Sequence, residues 1–114
     1  MKQLALPTRE SKFSAPFFQI LIRVEVFIQN DCYSGALWDV SRSGACIRSF
    51  QQIPMGAPAQ IRFHEPSEAE FIEAMGEPIW MNQLRGAHYY GLRFDEGFDI
   101  SKTFLRLLIK KDLS

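Results

Sequence analysis

The 114-residue chain has little of what most catalytic and metal sites are made from. It holds two cysteines, Cys32 and Cys46, too few for a disulfide framework or a cysteine-rich metal centre. They read as small residues on or near strands, reduced in the cytosol. Its two histidines, His64 and His88, have no carboxylate or cysteine at metal-ligand spacing. There is no G-x-S-x-G elbow, no H-E-x-x-H and no phosphate-binding G-x-x-x-x-G-K-S/T. Asp39 and Ser41 resemble part of a hydrolase triad only in letters, because no histidine is placed to serve as base. The expectation is no enzyme, no cofactor and no metal. Excess charge is also missing: 13 basic and 13 acidic residues cancel. A protein held on duplex nucleic acid by its phosphates carries a basic surplus, so no nucleic-acid polymer is expected as partner. No apolar run is long enough to span a bilayer, so no membrane insertion is expected. Met1 to Pro7 lacks the apolar region and cleavage site of a secretory signal, which points to the cytoplasm.

What is present is alternation. Ile20, Ile22, Val24, Val26 and Ile28 alternate with Leu21, Arg23, Glu25 and Phe27, which predicts a strand with the first set facing a core. Gln29-Asn30-Asp31 is a turn, and Cys32 to Val40 returns as a second strand with Ala36, Trp38 and Val40 on one side. Gly44 to Phe50 is a third, with Ala45 and Ile47 alternating with Cys46 and Arg48. Gly56 allows a tight bend before a fourth strand, in which Ala59, Ile61 and Phe63 alternate with Gln60, Arg62 and His64. Phe71 to Met81 is a fifth strand, bulged at Gly76 and Pro78, since proline cannot donate to a ladder. Asn82 to Gly86 turns, and His88 to Asp95 is a sixth, with Tyr90, Leu92 and Phe94 facing one way. The predicted core includes Ile22, Val24, Val26, Trp38, Ile47, Ile61, Phe63, Leu92 and Phe94.

The spacing changes after Gly97. Ile100, Phe104, Leu107 and Leu108 follow i, i+4, i+7, i+8 and predict an amphipathic helix over 99–112, capped by Asp99 or Ser101. Residues 1–18 have no clear period and are broken by Pro7 and Pro16. They read as an arm, and its Phe13, Phe17 and Phe18 suit packing on the barrel or docking a partner.

The second and third strands meet at Asp39-Val40-Ser41-Arg42-Ser43-Gly44. Two hydroxyls, a guanidinium and turn backbone in one place make an anion nest, with glycine supplying positive φ and Asp39 an acceptor beside it. In isolation the same letters also describe an ordinary hairpin turn whose aspartate and serines satisfy local backbone.

This stretch resembles the D/N-x-S-x-x-G pattern of PilZ domains. Pro54-Met55-Gly56 is similar to the family's P-x-G turn, Gly76-Glu77-Pro78-Ile79-Trp80 to its G-x-V-x-W stretch, and Tyr90-Gly91-Leu92-Arg93-Phe94 to its Y-G-V-R-F ending. The four occur in family order across residues 21–98. The resemblance implies a six-stranded antiparallel β-barrel with a C-terminal helix over residues 19–114, and a bacterial cytoplasmic receptor or adaptor for cyclic di-GMP. It also implies a ligand site made of Asp39, Ser41, Arg42 and Gly44 with the family's R-x-x-x-R arm. Arg23-Val24-Glu25-Val26 resembles the R-V-P-V that carries the second arginine of that arm. The first position is then Gln19, which brings no charge. Arg23 also has a plain reading, as a strand residue paired with Glu25.

The chemistry suits the ligand. A carboxylate such as Asp39 accepts from the Watson–Crick edge of guanine, an arginine fork meets its O6 and N7 or stacks on its face, and phosphates need donors from Ser41, Arg42 and the Gly44 backbone. Three readings therefore stand: a cyclic di-GMP receptor acting on an unidentified protein partner; a degenerate member of the same family that works by protein contact, as the Gln19 departure and the aromatic arm suggest; and an unrelated barrel holding nucleic acid through outward Arg48, Arg62 and Arg93, which neutral net charge opposes.

Overall fold

A computed structural model describes residues 21–67 and 69–108. Six antiparallel strands, β1 (Arg23–Ile28), β2 (Asp31–Val40), β3 (Gly44–Ser49), β4 (Ala59–His64), β5 (Phe71–Leu84) and β6 (Ala87–Phe94), close into a barrel in the order β1-β2-β3-β6-β5-β4. β1 alternates as its sequence requires: Ile22, Val24, Val26 and Ile28 are buried in the interior, while Arg23, Glu25 and Phe27 lie on the outside. Ile47, Ile61, Phe63, Leu92 and Phe94 join them in one apolar cluster. The expected Ile20 lies outside the described residues.

Trp38 departs from its expected place in that core. β2 carries a bulge: Leu37 pairs with Ile47, but the next pair is Asp39 with Cys46. The extra residue is Trp38. Leu37 and Val40 therefore both enter the interior, and Trp38 packs in a separate outer cluster with Cys46, Ala87, Tyr89, Trp80 and Leu84. β5 repeats the device. Pro78 pairs with Leu92 and Trp80 with Gly91, so Ile79 is extra and Trp80 reaches the same outer cluster. The irregularity falls between Pro78 and Trp80, not at Gly76. β5 also runs further than expected, to Leu84, and its turn to β6 is the two-residue Arg85-Gly86, both at positive φ (54° and 84°).

The two ends of the barrel are closed differently. At the β3–β4 end, residues 50–58 cross over, and the buried Tyr90 hydroxyl ties them down by accepting from the Ile53 N–H at 2.8 Å and donating to the Gln51 carbonyl at 3.1 Å. At the other end, Phe98 meets Phe94 edge-on at 4.8 Å, and Ile100 and Leu105 are buried in the interior cluster. The α-helix expected there is not formed among the described residues. Two 3-10 segments, Ile100–Lys102 and Phe104–Leu108, take its place; 109–112 lie outside the described residues. Thr103 separates them with extended backbone (φ −123°, ψ 169°), its hydroxyl donating to the Ile100 carbonyl and accepting from the Leu105 N–H. A threonine that bonds its own neighbours in this way competes with helical hydrogen bonding.

Candidate functional site

The bulge in β2 has a consequence at the rim. Asp39 keeps the outward side that the β2 alternation gives it, opposite Cys46 of the outer wall, and the extra position brings Trp38 to that same side. Asp39 thus lies on the outside of the barrel although only 8% exposed, and one carboxylate oxygen accepts from the Val40 N–H at 2.9 Å. The Asp39 charge and, before it, burial raise the pKa of the Cys46 thiol far above its ordinary value.

The turn that follows is tight. The Ser41 N–H donates to the Gly44 carbonyl at 2.8 Å, the Ser43 N–H to the Ser41 hydroxyl at 3.3 Å, and the two hydroxyls lie 3.3 Å apart. The Ser43 carbonyl accepts from the Phe94 N–H at 2.9 Å, which pins the turn to the end of β6. Gly44 does not supply the positive φ expected of it; that feature belongs to Gly56, Gly86 and Gly97. Its requirement is closeness: a Cβ at Gly44 would stand 2.2 Å from the Leu92 carbonyl oxygen on the neighbouring strand. Arg42 projects from the turn, exposed, and its charge reaches Asp99. Asp99 is held below the usual carboxylate range, first by the Ser101 hydroxyl and N–H and less by Lys102 and Arg42.

Arg23 stands at the start of β1, paired with Ala36 on β2, so it shares the outer wall with Asp39 on the adjoining strand. Its guanidinium lies 3.6 Å from Glu25, as the plain strand reading expects. Gln19, the other expected arm position, is outside the described residues. The structure therefore gathers Asp39, Ser41, Arg42 and Gly44 on one corner and sets Arg23 on the strand beside it.

Sequence reading missed the wall next to this corner. Across four strands the pairs Asp39–Cys46, Cys46–Gly91 and Gly91–Trp80 form one outward row. Gly91 is the reason the Trp80 indole can lie against the sheet, because a Cβ there would be 2.2 Å from the ring. Trp38 meets Tyr89 edge-on at 5.3 Å. Pro78 just before Trp80 was the one local signal of this arrangement. The outward arginines expected as nucleic-acid contacts are engaged by their own neighbours. Arg62 donates to Glu73 at 2.7 and 2.9 Å between the rings of Phe27 and Phe71. Arg93 donates to Glu77 at 3.0 Å, and Arg48 lies over Phe50. Among the described residues no group of three or more His, Cys, Asp or Glu is arranged to hold a metal ion, and no helix is long and apolar enough to cross a membrane.

Fold and corner together define a class: a small closed six-stranded barrel with a carboxylate, serine and arginine corner on its outer wall. The PilZ domain family model matches residues 8–110, most of the chain, and the protein belongs to that family. None of the curated proteins compared with the chain matches it.

Proposed function

We propose that this domain is a cyclic di-GMP receptor that passes messenger binding on to a protein partner. The observation that carries the reading is the β2 bulge, which brings Trp38 to the outside next to Asp39, so that the carboxylate stands between the Ser41–Gly44 turn and the aromatic wall of Trp38 and Trp80. A carboxylate there accepts from guanine N–H groups, Arg42 and Arg23 supply the positive charge that phosphate needs, and the neighbouring wall is apolar enough to raise the worth of each polar contact. Family membership supports the same ligand class. The role is one of binding rather than catalysis.

A second reading has its own observations. The serine hydroxyls already bond within their turn, Arg23 lies near Glu25, and position 19 is glutamine rather than arginine. These fit a family member that has given up nucleotide and works by protein contact. Calorimetry with cyclic di-GMP separates the two. For the receptor, Asp39→Ala weakens binding roughly tenfold to a hundredfold, the loss of about 1–3 kcal/mol for a desolvated hydrogen bond. Gln19→Arg tightens it by roughly tenfold or more through a charge-assisted contact and steepens its salt dependence. No binding by wild type or by Gln19→Arg selects the protein-contact reading.

A further inference from the structure

The outer wall over β1 and β4 carries a histidine–carboxylate pair that the site described above does not use. Glu25 lies between two bases. One of its oxygens is 2.7 Å from Nε2 of His64, and the other is 3.6 Å from the Arg23 guanidinium. The side chains are unequal in exposure: His64 is 11% exposed, Glu25 21% and Arg23 42%. The inner end of this triple is thus shielded, and the outer end faces water beside the Asp39 corner.

We infer that Glu25 tempers how strongly Arg23 serves an anionic ligand, and that protonation of His64 loosens the Glu25 contact to Arg23 and tightens binding. The inference rests on the receptor reading of the corner. A carboxylate can only accept, so His64 must present an Nε2–H to it whether the ring is neutral or charged. A neutral ring leaves the charge of Glu25 to Arg23. A cationic ring neutralises that charge at a 2.7 Å contact, weakens the hold on Arg23 and adds a positive charge to the wall. Both effects favour an anion.

Among the described residues, the other charged groups near the pair do not duplicate this response. Arg62, on the same strand as His64, is committed to Glu73 of β5 at 2.7 Å. Cys32 of β2 lies 4.0 Å from Glu25, and its thiol is raised by partial burial first and by Glu25 second, so it stays neutral alongside the carboxylate. From β5 the ring of Phe71 flanks His64 at 5.6 Å without charge. Glu65 and Glu70, joined by a backbone hydrogen bond just beyond His64, are the same in wild type and in His64→Gln and so cannot distinguish them.

The test is calorimetry with cyclic di-GMP at about pH 6 and about pH 8, which bracket imidazole titration. It is paired with the Arg23 side-chain N–H resonance of the ligand-free protein at the same two values. Wild type should bind roughly two- to fivefold tighter at the lower pH, the size of a partly exposed ion pair, and its Arg23 resonance should move. In His64→Gln both responses should vanish, although His88 is retained. Glu25→Gln should bind more tightly than wild type at the higher pH and show a smaller pH response than wild type, because only the added imidazole charge is left to act. Equal pH responses in wild type and His64→Gln, or an Arg23 resonance that ignores pH, overturn the inference. A resonance that moves in wild type but not in His64→Gln, with no nucleotide bound at either pH, leaves the coupling standing and removes the receptor reading instead.

Discussion

The outer wall of the barrel is made of two unlike materials. Over β1, β4 and the first half of β5 it is charged: Arg23 pairs with Glu25 along β1, and Glu25 with His64 and Arg62 with Glu73 across strands. Over β3, β6 and the second half of β5 it is aromatic and closed: Trp38, Tyr89 and Trp80 cover Cys46, which has no exposed surface. Each side carries one of the two thiols, Cys32 exposed on the charged side and Cys46 buried on the aromatic side. The candidate site lies where the two materials meet. The aromatic side contributes packing energy and a dry wall, whereas the charged side contributes little stability but can change its charge distribution with conditions. Stability and responsiveness are thus separated on a single small barrel.

Three substitutions sharpen this contrast. Tyr89→Ala removes a 7%-exposed ring stacked edge-on against Trp38. It should lower the unfolding free energy by about 3–5 kcal/mol, the range for large buried aromatics, measured by urea denaturation. A loss under about 1 kcal/mol would mean that the outer cluster is only a cover and not a second core. Gly91→Ala places a Cβ against the Trp80 indole. It should cost about 1–3 kcal/mol as overpacking, and by displacing the indole it should open Cys46 to an aromatic disulfide reagent. Cys32, already exposed, serves as the internal standard, and an unchanged Cys46 labelling rate would show that the indole is not its lid. The smallest effect belongs to the charged side. Glu73→Gln should cost no more than about 1 kcal/mol, because an exposed pair is screened and Arg62 keeps its place between Phe27 and Phe71. Salt should narrow the gap between wild type and variant, and a loss as large as that of Tyr89→Ala would erase the distinction between the two sides.

The barrel was legible because its strongest signals repeat. Ile22 to Ile28 and Ala59 to Phe63 alternate without interruption, and both enter the interior as read. Asp39, Ser41, Arg42 and Gly44 were legible as a group because they fall within one stretch of six residues. Their neighbours were not. Trp38 fits the alternation of β2 until a bulge reverses it, and nothing in Leu37-Trp38-Asp39 marks the extra residue. The helix expected after Gly97 had the right apolar spacing, but spacing records which side is buried and not which hydrogen bonds form. Thr103 chose the latter. Glu25 and His64 are 39 positions apart, so no local pattern could join them.

The division follows from range. Alternation, turn residues and the composition of the Asp39–Gly44 stretch are properties of adjacent residues, and the chain carries them wherever it goes. They are enough to specify a six-stranded barrel and one polar corner. Whether Trp38 and Trp80 face in or out depends on matching strand against strand around a closed ring. A bulge in β2 and another in β5 take up the mismatch there, leaving both indoles outside. The place of Trp38 beside Asp39, the lid on Cys46 and the sharing of Glu25 between Arg23 and His64 all follow from that matching. They exist only once the barrel has closed, because each depends on which residues the ring brings opposite one another.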